Sequence, residues 1–306
     1  MDEQPLVPPP PSAIEPCYRH PDVQTGVHCT RCGRPICTEC MIAAPVGHQC
    51  PTCVAEARQE FRRGPGRRIA VANAKGVSVT NVILVTLIAV FGLELVRGGL
   101  ESIVGGPSLR EMVDMGAMFP PFVAEGESWR LFTAMFLHFG VIHLAVNAYS
   151  LYILGNVLER ELGRPKFAAL YLLSGLVASA TSYAFSDVVV VSAGASGAIF
   201  GIFGGVFAVN YRRRHTPQGA MAMRSMVQII VLNVFINVVL SSYLDWRAHV
   251  GGAIAGIVLG FAFAYPGRDE TNRVATAVGI VAVCAVIVVT VMVRTDQIRQ
   301  IAQFMQ

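Results

Sequence analysis

Seven predominantly apolar runs punctuate the chain, at Val77 to Val96, Val141 to Leu158, Phe167 to Phe185, Ala193 to Tyr211, Met226 to Tyr243, Ala248 to Tyr265 and Val274 to Val293. Each holds about 18 to 20 residues, enough for an α-helix to cross the hydrocarbon core of a bilayer. The pattern therefore predicts an all-α membrane protein. Before Val77 the pattern breaks into three pieces: a proline-rich tail over residues 1–16, a Cys/His segment over 17–53, and a basic linker over 54–76 with Arg58, Arg62, Arg63, Arg67, Arg68 and Lys75. The connection from Arg97 to Gly140 is too long for a turn and carries apolar patches around Trp129 and Arg130, which suits a loop seated partly in the membrane interface.

Composition sharpens the picture. Charged residues make up 14% of the chain and hydrophobic residues 53%, whereas soluble domains carry about 25% charge; a conventional soluble enzyme is excluded. The net charge of +4 is small and the bases sit in short connections, which argues against a nucleic-acid surface. No signal-type apolar segment precedes Val77, so the amino terminus is expected in the cytoplasm. On that choice fifteen Lys and Arg fall on the inner side and six on the outer side, with Arg212, Arg213 and Arg214 together in one inner loop. By the positive-inside rule the carboxyl terminus is then expected outside. Arginine outnumbers lysine by 22 to 2, a bias compatible with a GC-rich genome, and on that ground the membrane is expected to be a plasma membrane.

Seven of the eight cysteines lie between Cys17 and Cys53, in a compartment where reduced thiols act as ligands before they act as disulfides. Four pairs share a two-residue gap: Cys17/His20, Cys29/Cys32, Cys37/Cys40 and Cys50/Cys53. That gap lets both side chains of a pair reach one tetrahedral zinc, so eight donors suit two structural ions. His48 competes with Cys50, although the spacing favours the Cys50/Cys53 pair. The segment resembles B-box-type zinc fingers, and the resemblance implies interleaved sites, Cys17, His20, Cys37 and Cys40 on one ion and Cys29, Cys32, Cys50 and Cys53 on the other. A cytoplasmic protein is the expected partner of such a module.

Polar groups inside spans are costly and mark function by default. Ser196, in Gly194-Ala195-Ser196-Gly197, opens the fourth run, and His249 opens the sixth from the same side. Gly197, Gly201 and Gly205 recur every fourth residue on one run, as do Gly252, Gly256 and Gly260 on the other, the pattern that lets helix backbones approach. If these stripes meet, Ser196 and His249 come together, and a histidine can activate the serine hydroxyl as nucleophile. His143 and Asn147, four residues apart on the second run, share a helical face and can both donate to an oxyanion, with the Ser196 amide at a helix start as a third donor.

These residues, with Trp129-Arg130, His138-Phe139, Glu159-Arg160 and Ala248-His249, resemble the rhomboid family of intramembrane serine proteases over roughly Ser78 to Tyr265. The resemblance implies a six-helix core over 77–265 with one extra carboxyl-terminal transmembrane helix and tail over 266–306, and a Ser196/His249 dyad without an acidic third member. It further implies an oxyanion site at His143 and Asn147, and cleavage of transmembrane protein substrates near the outer membrane face without a catalytic cofactor. Phe200 stands where some members carry a tyrosine stacked on the catalytic histidine. Asp245 is read as outside the dyad, Glu94 as neutralising Arg97, and Asn233 and Asn237 as interhelical glue. The alternative from another class is a non-catalytic scaffold that binds client helices.

Overall fold

A computed structural model describes residues 14–44, 46–63, 76–99, 102–239, 244–264 and 269–304. The proline-rich tail up to residue 13, the basic residues Arg67, Arg68 and Lys75, and the run ends at Tyr243 and Tyr265 lie outside the described residues. The chain divides into two compact units, residues 1–71 and 72–306.

In the first unit two short antiparallel hairpins, β1 (Glu15–Pro16) with β2 (Gln24–Thr25) and β3 (Ile42–Ala43) with β4 (His48–Gln49), are followed by helix α1 (Pro51–Arg63). Its buried core consists of Ile36 and six of its seven cysteines, all but the exposed Cys32, with Tyr18 and Met41 packed against them. So short a segment has little other apolar material with which to offset its chain entropy. The stretch read as linker from residue 54 starts as the body of α1, because Pro51 starts a helix well and Cys53 sits in its first turn.

Among its described residues the second unit is mainly helical. Helix α2 (Val79–Gly98) leads into a long connection built of four short helices, α3 (Ser102–Gly105), α4 (Leu109–Asp114), α5 (Pro120–Ala124) and α6 (Arg130–Thr133). Arg130, 5% exposed, organises this connection from within: it pairs with Glu127 at 2.6 Å and donates to the carbonyls of Val113 and, at 3.2 Å, Ala117. The half-exposed Trp129 ring lies against its guanidinium. Helix α7 (Val141–Ser150) passes through a π-helical turn at Leu151–Gly155 into α8 (Asn156–Leu162), and α9 (Arg164–Phe185), α10 (Ser196–Arg212), α11 (Pro217–Val239), α12 (Trp246–Phe263) and α13 (Asp269–Phe304) complete the unit. Among the described residues five helices are long and apolar enough to cross a membrane, namely Val79–Gly98, Val141–Leu162, Arg164–Phe185, Trp246–Phe263 and Thr271–Phe304.

Two helices depart furthest from the apolar pattern. Helix α11 starts nine residues before Met226, at Pro217, where the Thr216 hydroxyl accepts the Gly219 N–H. A proline at a helix start and a threonine cap outweigh hydropathy there. Helix α13 runs 36 residues rather than the 20 of its apolar run, since neither Gly nor Pro interrupts residues 280–304.

The glycine stripes do meet. A Cβ on Gly252 would strike the Gly197 carbonyl, one on Gly256 the Gly201 carbonyl, and one on Gly260 would sit 2.9 Å from the Gly205 Cα. Helices α10 and α12 therefore touch backbone to backbone, with α9 packed against both. At the opposite end of α9's neighbourhood, Glu159 accepts the N–H groups of Val79 and Thr80 and the hydroxyls of Ser78 and Thr80 at 2.7–2.9 Å, tying α8 to the start of α2.

Candidate functional site

Ser196 is the first residue of α10 and His249 lies in the first turn of α12, so the seam of glycines delivers both to one end of the helix pair. The His249 Nε2 lies 2.9 Å from the Ser196 Oγ. With Nε2 accepting the hydroxyl, the neutral ring carries its proton on Nδ1, the tautomer a general base needs. The Phe200 ring stacks on the imidazole with centroids 4.2 Å apart and planes inclined by 13°, holding it from the side. His249 is 6% exposed and Ser196 is partly buried.

Asp245 is the cap of α12. Its Oδ1 accepts the Ala248 N–H at 3.1 Å, and its Oδ2 accepts the hydroxyls of Ser182 at 2.5 Å and Ser192 at 2.6 Å. It thereby fixes the start of the helix that carries His249.

His143 and Asn147 project from the first two turns of α7. The Phe139 N–H donates to His143 Nδ1 at 3.3 Å, which leaves the proton of the neutral ring on Nε2. That nitrogen faces the backbone beside the serine: a Cβ on Gly194 would lie 3.0 Å from His143 Nε2 and 3.8 Å from Ser196 Oγ. Gly194 has φ of +134°, a conformation open to glycine, and its N–H donates to the Ala134 carbonyl at 2.8 Å. Asn147 is 5% exposed and its Nδ2 has no hydrogen-bond partner among the described residues. A buried amide donor costs free energy when unmatched, so an acceptor arriving there is favoured. The first N–H groups of α10, beginning at Ser196, also lack intrahelical acceptors. The hydroxyl and the imidazole base thus meet, with the His143 ring set against Gly194, two residues before the serine.

One expectation changes. Glu94 is fully buried and accepts the His138 N–H at 3.0 Å, so it braces the long connection instead of neutralising Arg97. A carboxylate in a span finds the nearest donor that packing supplies, and the His138 amide is buried beside it. Asn233 donates to the Ile229 carbonyl of its own helix at 2.9 Å, while the Asn237 side chain is outside the described residues. His138, quoted above only as part of a motif, proves fully buried with its ring 5.1 Å from that of His143; nothing in its spacing signals this, because the contact spans a non-helical turn.

In the first unit two clusters form, Cys17, His20, Cys37 and Cys40, and Cys29, Cys32, Cys50 and Cys53, each with its donor atoms within 4.8 Å of one another. Cys50, not His48, joins the second cluster; His48 lies on β4 with its carbonyl accepting the Thr30 N–H. The separations suit a tetrahedral ion. Zinc arms of about 2.3 Å to sulfur and 2.0 Å to nitrogen imply S···S edges near 3.8 Å and N···S edges near 3.5 Å. The Cys32 and Cys50 sulfurs stand 3.8 Å apart, and His20 Nδ1 lies 3.2 Å from Cys37 Sγ and 3.5 Å from Cys40 Sγ. The other His20 nitrogen faces Glu39 at 3.8 Å, a carboxylate partner of the kind that orients a ligating imidazole.

The thiols are electrostatically divided. Burial opposes ionisation of Cys17, but the N–H groups of Arg19, Cys37 and His20 outweigh it and hold this thiol down at about 6. Cys29 is likewise held down at about 6, against burial, by the N–H groups of Cys50, Cys32 and Arg31. Burial and then the neighbouring sulfurs push Cys40 up to about 11 and Cys53 up to about 12. Four such donors resist full ionisation together unless a cation stands among them, so the donor chemistry fits a soft divalent metal.

The sequence profile of the Rhomboid domain matches residues 125–266, the stretch that contains the whole Ser/His constellation. The chain is similar to RHOMBOID-like protein 5 of Arabidopsis thaliana, 38% identical over 168 residues covering 53% of this chain and 52% of that one. It is similar to Rhomboid protease GluP of Bacillus subtilis, 35% identical over 175 residues, 57% of this chain and 34% of that one. It thus spans about half of the first relative and about a third of the second. The Bacillus subtilis protein YdcA is 38% identical over 141 residues and is covered over 69% of its length. With such coverage at such identity, and with its membrane-spanning helices and paired Cys/His clusters, the chain is a multi-pass membrane protein belonging to the rhomboid family.

Proposed function

We propose that this protein is an intramembrane serine endopeptidase that cuts transmembrane segments of other membrane proteins near the outer face of a plasma membrane, with its amino terminus in the cytoplasm and its carboxyl terminus outside. The observation that carries this reading is the 2.9 Å contact between Ser196 Oγ and His249 Nε2. The buried Asn147 Nδ2 has no partner among the described residues and is read as a donor to the same site.

The chemistry follows from the donors. His249 Nε2 takes the Ser196 hydroxyl proton as Oγ forms a bond to the carbonyl carbon of a locally unwound substrate segment. Asn147 Nδ2–H, His143 Nε2–H and the Ser196 N–H stabilise the negative charge that gathers on the former carbonyl oxygen. The protonated His249 returns its proton to the leaving amine as the C–N bond breaks. Water then loses a proton to His249 and attacks the acyl-serine, and the proton passes back to Oγ as the new carboxyl product departs. Cofactors play no part in these steps.

The amino-terminal unit is read as a structural two-zinc module, with the two four-donor clusters as its ligand sets and a cytoplasmic protein as its partner. Zinc there would neutralise the thiolates and supply folding free energy. The proposed domain division is a tail over 1–16, the module over 17–53, a linker over 54–76, the protease core over 77–265 and the extra helix with its tail over 266–306.

Purified full-length protein in liposomes with a single-span substrate tests the enzyme reading. The wild type is expected to cleave, and Ser196→Ala to lose cleavage by at least about 10⁴-fold. Equal handling of substrate by both proteins would instead favour a client-binding scaffold.

A further inference from the structure

Helix α13 stands outside the stretch that matches the Rhomboid domain, yet it is fastened to that domain at both ends. Near its start, Lys166 Nζ donates to Asn272 Oδ1 at 2.6 Å and to the Phe263 carbonyl at 2.7 Å. At 1.5 Å per residue its 36 residues extend about 54 Å, well beyond a hydrocarbon core of about 30 Å. The surplus lies at the carboxyl-terminal end, where the helix continues past Val293.

That surplus is engaged. The Tyr183 and Thr295 hydroxyls lie 2.9 Å apart, Arg294 donates to the Ser186 carbonyl at 3.0 Å, and Arg299 Nε donates to the Ala124 carbonyl at 2.9 Å. Ile298 is buried in a cluster with Met118, Val123, Ala124, Leu131, Ala134 and Tyr183. Two members of this cluster touch the approach to the serine. Met118 and Ser192 exchange backbone hydrogen bonds of 3.0 and 2.9 Å, and the Ala134 carbonyl accepts the Gly194 N–H. The Ser192 hydroxyl in turn reaches Asp245, the cap of the helix carrying His249.

We propose that the last three turns of α13 are a clamp whose positioning residues, Arg294, Thr295, Ile298 and Arg299, hold the long connection against residues 186–195 and so set the place of Ser196 and the start of α12. No single contact here is strong, since a neutral-acceptor hydrogen bond contributes little by itself. Together they bridge the end of α9 to helix α5 and its neighbour Met118, two segments far apart in the chain. The kinetic consequence rests on the protease reading above; the mechanical one does not.

The test uses full-length protein in nanodiscs, as wild type, Ile298→Ala/Arg299→Ala, Arg299→Ala and Arg299→Lys, each also made with Ser196→Ala. Hydrogen exchange of residues 112–124 and 186–195 is measured beside kcat and KM. The double variant is expected to exchange about tenfold faster in both segments and to lose about tenfold in kcat with KM within about twofold, while Arg299→Lys retains more protection and rate than Arg299→Ala. Unchanged exchange in both segments would overturn the clamp, including where kcat and thermal stability fall together. Faster exchange in the Ser196→Ala background, with no cleavage by the wild type, keeps the mechanical clamp and removes the protease reading.

Discussion

The two units of this protein assemble their polar groups in opposite ways. In the amino-terminal unit all eight donors fall within 37 residues, and each cluster is made of two sequence pairs with a fixed gap. In the membrane unit the serine and its base are 53 residues apart and meet only because two glycine seams let α10 and α12 touch. The first is a problem of local spacing, in which clustered cysteines take the place of a larger apolar core. The second is a problem of packing, in which the absence of side chains positions a reactive pair.

The comparison is broken most severely at the seam. Gly256→Val adds bulk where even a Cβ would overlap the Gly201 carbonyl, and overpacking at a backbone contact costs about 1–3 kcal/mol or more. The Ser196/His249 contact is expected to be lost with much of the folded protein, read as a collapse of the thermal midpoint and of labelling by a serine-directed phosphonate. Zinc content of the amino-terminal unit should remain at two per chain, and its loss in the same variant would show that the units do not stand independently.

A less drastic change sharpens the account of the membrane site. Asn147→Ala removes the unpartnered donor and is expected to lower kcat by about 10²-fold, with the folded state kept. An unchanged kcat would remove Asn147 from the oxyanion site. Smaller still in its effect on cleavage is Cys53→Ser, which takes one sulfur from the second cluster. Zinc measured on the purified protein should fall from two to one per chain, while kcat/KM stays within about twofold. A parallel loss of cleavage would couple the module to the chemistry. At the small end, Phe200→Tyr preserves the stacked ring and should change kcat by less than about threefold.

Much of the architecture was legible in the amino acids because lipid imposes simple rules: spans must be apolar and helical, so run length marks the helices. The paired Cys/His gaps and the four-residue glycine spacing were legible for the same reason, as each expresses a local geometry. Helix ends were less so. Pro217 and Thr216 set the start of α11 ahead of the apolar run, and α13 continues past Val293 because no breaker follows.

Sequence alone determined that the chain enters a membrane, that its cysteines pair, and that Ser196 and His249 could meet. Tertiary structure decided that Glu94 serves the His138 amide, that Asp245 caps α12 while gathering Ser182 and Ser192, and that the end of α13 reaches Ala124 and Ser186. Periodicity reports the face a residue occupies on its own helix. It is silent on which distant carbonyl or amide will lie within 3 Å of that face, because this depends on how several helices pack at once.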